Sequence, residues 1–171
     1  ALASFALAAL LAGPCFAQET VDAETFCRKA GKNWGIYEWF LDRTAARAGA
    51  VRGAVGCDWT FTKSEKPDLL VTLDSKLLAS PMAARQAILT ARLSENHRGK
   101  TVEPLPRLGD DGLSRATTQD GALKLFELEA VRGARHFLLS VRMRDGSEVN
   151  YRIAAFSPSF LGVGIAELEK P

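Results

Sequence analysis

The alternation of apolar and polar residues through the last third of the chain constrains its fold most. Phe126, Leu128 and Ala130, and then Phe137, Leu139 and Val141, each recur with period two, the pattern of strands with one buried face. Gly133-Ala134 between the runs suits a two-residue turn with glycine first. That turn sets Phe126 opposite Val141, Leu128 opposite Leu139 and Ala130 opposite Phe137. Arg144-Asp145-Gly146 suits a three-residue hairpin loop with Gly146 in the left-handed position. It extends the register to Val141 with Val149, Leu139 with Tyr151 and Phe137 with Ile153. A slip of one residue would mix the two faces, so the pairing is well determined. The opposite face collects Glu127, Glu129, Arg142, Glu148, Asn150 and Arg152, a flat charged surface and the candidate face for a partner.

Earlier in the chain, Asp22 can cap a helix running through Ala30, with Gly31 breaking or bending it. Trp34, Tyr37, Phe40 and Leu41 then recur at helical spacing, with Gly49 as a stop. Aromatic residues on one helical stripe belong to a core more often than to a carbohydrate platform. From Val55 the period becomes two: Val55, Cys57, Trp59 and Phe61 form a half-buried strand. A turn at Ser64-Glu65-Lys66-Pro67 leads to a second strand through Leu69, Val71 and Leu73. Ser80-Pro81 reads as an N-cap with proline at the first helical position, and Met82, Ile88, Leu89 and Leu93 carry that helix towards Gly99. Lys100 to Gly112, with Pro104, Pro106 and Gly109, reads as a loop. Ser157-Pro158 caps a last helix holding Phe160, Leu161, Ile165 and Leu168. The expected class is α+β: an antiparallel sheet of five to six strands packed with helices, in the order α-β-β-α-β-β-β-(β)-α.

Residues 1–17 carry no charged side chain. The run ends Gly13-Pro14-Cys15-Phe16-Ala17, with small residues where a signal peptidase needs them, which predicts a secretion signal, short of its start, cut before Gln18. A membrane anchor is the rival reading, but the run is shorter than the roughly 20 apolar residues that span a bilayer. Pro14 before Cys15 argues against lipidation there. Residues 18–171 then form a single exported domain with no stable membrane span. It keeps two cysteines, Cys27 and Cys57, which an oxidising compartment would join in a disulfide.

Lys and Arg total 22 against 20 for Asp and Glu, a balance that gives no electrostatic argument for nucleic acid. His97 and His136 fall in different elements without Glu or Cys at ligand spacing, so no zinc site is expected. Asp110 and Asp111 lack the alternating pattern of a calcium loop and suit a solvated turn. Ser94, His97 and Asp120 have no nucleophile context around them, and Gly109 to Gly112 is not a P-loop. No catalytic residue, metal or cofactor is expected.

The early Cys27, the Cys57-Asp58-Trp59 strand opening and the loop Leu108-Gly109-Asp110-Asp111-Gly112 resemble the PsbP-like α/β/α sandwich of small exported proteins and lipoproteins. The resemblance spans most of residues 22–170. It implies a non-enzymatic binding or accessory module, here one that binds or modulates a protein of the cell envelope. The alternative is a small-molecule or lipid carrier with a pocket between helix and sheet. A lipidation signal is missing, and the polar face of the meander does not look covered by helices.

Overall fold

A computed structural model describes residues 22–36, 38–48, 53–94 and 100–168. The expected secretion signal, Tyr37, Gly49, His97 and Gly99 lie outside the described residues. The elements are α1 (Ala23–Lys32), β1 (Phe40–Ala48), β2 (Val55–Thr62), β3 (Leu69–Leu77), α2 (Pro81–Ser94), β4 (Lys100–Pro104), β5 (Asp111–Gln119), β6 (Ala122–Arg132), β7 (Arg135–Met143) and α3 (Tyr151–Leu168). The class is α+β as expected, but the sheet has seven strands, all antiparallel, in the order β1-β2-β3-β7-β6-β5-β4.

The β6–β7 hairpin has the register read from the sequence: Phe126 faces Val141, Leu128 faces Leu139 and Ala130 faces Phe137. The extension past Gly146 is overturned. Gly146 does adopt a positive φ of 73°, but no strand returns along β7. The other edge of β7 is taken by β3, with Val71 opposite Val141 and Leu73 opposite Leu139. The chain after residue 150 is helical instead. Val149 and Ile153 are buried while Tyr151 is 83% exposed, so the apolar positions follow the helical period, not the strand period. Ser157-Pro158 lies inside α3 and does not start it. Asn150 takes that place, its Oδ1 accepting from the Arg152 backbone N–H at 2.8 Å.

Two other expectations change. Phe40 and Leu41 belong to β1, which pairs with β2 through Thr44 opposite Trp59 and Ala46 opposite Cys57. Its Ala- and Arg-rich sequence favours a helix locally, and pairing overrides that weak preference. Lys100 to Gly112 is not all loop: Lys100–Pro104 forms the edge strand β4, and β5 begins at Asp111. The start of α2 is as read, with Ser80 Oγ accepting from the Ala83 N–H at 3.1 Å.

The inward residues of β2, β3, β6 and β7 form the main core with Phe26, Cys27 and Ala30 of α1 and Ile153, Phe160 and Leu161 of α3. Trp34 is part of it, stacked on Phe61 at 4.5 Å between centroids and edge-on to Phe156 and Phe160, whereas Phe40 is 70% exposed. Cys27 and Cys57 form the disulfide, tying α1 to β2. On the opposite face of the sheet, α2 sets Ala84 and Ile88 against Leu113 and Val131 in a smaller cluster. One face of the sheet therefore carries α1 and α3, and the other carries α2 over β5, β6 and β7.

Candidate functional site

Two features stand out from this frame: a cleft beneath α3 and a buried charged cluster beneath α2.

The cleft arises from small side chains. On the face towards α3, β5 offers only Ser114, Ala116 and Thr118, whereas β6 offers Phe126 and Leu128. Packing of α3 on the sheet is mainly against β6 and β7. The space left is about 500 Å³. Leu105, Leu123, Phe126, Ala154 and Pro158 supply its apolar wall, and Thr101, Ser114 and Thr118 supply hydroxyls. Glu103 on β4, Glu148 on the β7–α3 connection and Tyr151 at the start of α3 complete the lining. Pro158 has a further effect. It carries no N–H, so the carbonyl of Ala154, four residues earlier, is without its helical donor on the cleft side of α3.

The cluster beneath α2 consists of Arg115, Glu129 and His136, which are 8%, 7% and 7% exposed. One Glu129 oxygen accepts from Arg115, and the other meets His136 Nε2 at 2.5 Å. Burial works to raise the Glu129 carboxyl. The His136 hydrogen bond and the Arg115 charge outweigh it and hold the group below the usual carboxylate value. Arg115 and Glu129 border an open groove of about 680 Å³ beside Ala83, Ala87 and Thr90 of α2. Both carboxylate oxygens of Glu129 are engaged within the protein, and the cluster ties β5, β6 and β7 together.

The candidate partner face is not one surface. Glu127, Glu129 and Arg142 do share the face away from α1 and α3, but α2 and the charged cluster bury Glu129. Glu148 lines the cleft on the opposite side of the sheet, Asn150 caps α3, and Arg152 lies in its first turn. The physical reason is the helix after residue 150, which takes these three residues out of the meander.

Asp110 and Asp111 act as clips. Asp110 accepts from the Gly133 N–H at 2.7 Å and from Arg132 at 2.9 Å, pinning the β6–β7 turn. The Gly133 bond, with help from Arg132, holds its carboxyl below the usual value. Asp111 accepts from Arg92 of α2 at 2.5 Å. Among the described residues, no three His, Cys, Asp or Glu side chains gather as a metal site, and no helix is long and apolar enough to cross a membrane.

The sequence reading offered a pocket between helix and sheet as its alternative but did not locate the cleft. Its signals were the small residues alternating along β5 and the proline within a helical run. Glu129 was assigned to the correct face without any sign of its burial, because nothing in its own strand shows that α2 docks over it. Comparison with known families, with curated proteins and with solved structures finds no match to this chain.

Proposed function

We propose that the chain is a non-catalytic, exported binding domain that receives one small, mostly apolar molecule in the cleft between α3 and strands β4 to β6. The observation that carries this reading is the cleft itself. Its volume of about 500 Å³ falls within the roughly 300–1,000 Å³ of small-molecule sites, and an apolar wall with few polar groups is their usual composition. The disulfide and the apolar run before Gln18 support export. The resemblance to PsbP-like domains supports a binding role, and the placement of helices on both faces of one antiparallel sheet is in keeping with it. A partner protein of the envelope is the weaker reading, since its six-residue face is divided between two sides of the sheet.

A neutral solvatochromic dye tests the proposal. The folded protein should bind it saturably with a blue shift. Ala155→Trp fills the cleft from an exposed position of α3, so it should abolish dye binding and leave the circular dichroism spectrum unchanged. Equal dye binding by the variant would place the dye elsewhere and overturn the proposal.

A further inference from the structure

We infer that the ligand of this cleft is a cationic amphiphile, an ammonium group on a short apolar body; the inference rests on the cleft being the binding site. The lining contains two carboxylates, Glu103 and Glu148, and no Lys, Arg or His, although the whole chain has two more basic than acidic residues. The imbalance is therefore local. Among the described residues neither glutamate forms an ion pair.

The two carboxylates come from different walls, Glu103 from the edge strand β4 and Glu148 from the connection into α3. An ammonium group among them would meet negative charge from the sheet and from the helix side. Two aromatic rings join the same lining, Phe126 partly buried in the floor and Tyr151 exposed at the start of α3. Aromatic faces attract ammonium groups through the ring quadrupole. The Ala154 carbonyl, released by Pro158, adds an acceptor that an N–H donor can satisfy. The apolar body would then lie along Leu105, Leu123 and Pro158. An anionic amphiphile of the same size would meet repulsion from both glutamates and find no basic side chain in the lining.

Titration calorimetry on the full chain with octylammonium, octanol and octanoate, which share one apolar body, tests this. The ammonium compound should bind about tenfold more tightly than the alcohol, and the carboxylate most weakly. The double variant Glu103→Gln with Glu148→Gln should bring the ammonium affinity down to that of the alcohol and leave alcohol binding unchanged. Added salt should narrow the preference in the native protein alone. Alcohol binding with no preference for the cation, or a preference that survives the double variant, would overturn the inference and leave the cleft as a binding site. Failure of all three compounds to bind would overturn the cleft reading, and the inference with it.

Discussion

The indole of Trp59 fills the space that a side chain on Gly31 would need: a Cβ there would lie 2.5 Å from Nε1 and 2.7 Å from Cδ1. The same Nε1 donates to the Cys27 carbonyl at 2.8 Å, so the ring cannot withdraw without losing a buried hydrogen bond. Gly31→Ala should destabilise the fold by about 1–3 kcal/mol through overpacking, even though alanine favours a helix interior by about 1 kcal/mol. Urea denaturation reads the sign. A more stable variant would show that Trp59 has room to move.

Removal of the disulfide should cost about 3–4 kcal/mol on the chain-entropy model for a bond that spans 30 residues. Cys27→Ser and Cys57→Ser each lose the whole bond, so the double variant should be no less stable than either single one. Additive losses in thermal denaturation would contradict a shared bond.

Glu129 makes stability depend on pH. Its carboxyl lies below the ordinary value of 4.5, so the unfolded chain takes up a proton first as the pH falls. This contribution is complete above about 4.5 and drains away as the pH drops through that value towards the folded-state one. Urea midpoints across the acid range should show the loss, with a flatter profile in Glu129→Gln. At neutral pH, Glu129→Leu should cost about 3–5 kcal/mol, because the variant breaks the buried ion pair with Arg115. A neutral outcome would mean that solvent reaches the cluster.

Gly109 has φ of +68°, and a Cβ there would lie 2.4 Å from the Val131 carbonyl oxygen. Gly109→Ala therefore combines backbone strain with a clash against main chain and should cost about 2–4 kcal/mol. Asp110→Ala, which removes only the clip on the β6–β7 turn, should cost about 1 kcal/mol. Thermal denaturation of the two variants should rank them in that order.

Pro158 stands in the interior of α3, where Pro→Ala commonly gains about 1–3 kcal/mol. Pro158→Ala should raise the melting temperature and at the same time weaken ligand binding, because the restored N–H engages the Ala154 carbonyl. A gain in stability without any loss of binding would detach that carbonyl from the site.

These positions also show how far the sequence could be read. The β6–β7 register was legible because Gly133 fixes the turn and both flanking runs keep period two over three pairs. The disulfide was legible because residues 18–171 hold just two cysteines and export was expected. Val149 and Ile153 misled because positions four apart satisfy both a strand and a helix, and only the exposure of Tyr151 between them decides. Phe40 misled because β1 is a strand by virtue of its partner β2. The cleft was hidden for a different reason. It is made by missing bulk at Ser114, Ala116 and Thr118, and small residues announce a cavity only once the helix above them has been placed.

The sheet is two local meanders, β1 to β3 and β4 to β7, joined along a single seam where Leu69 lies opposite Met143 and Leu77 opposite Arg135. Everything between those partners must be made and folded before the seam can close. During synthesis from the N-terminus, the first meander therefore waits with the outer edge of β3 bare. The β7 of a neighbouring copy presents the same residues to that edge as the chain's own β7 does. At high concentration the seam is thus the natural point of domain exchange, where two chains would trade halves and close each other's sheets.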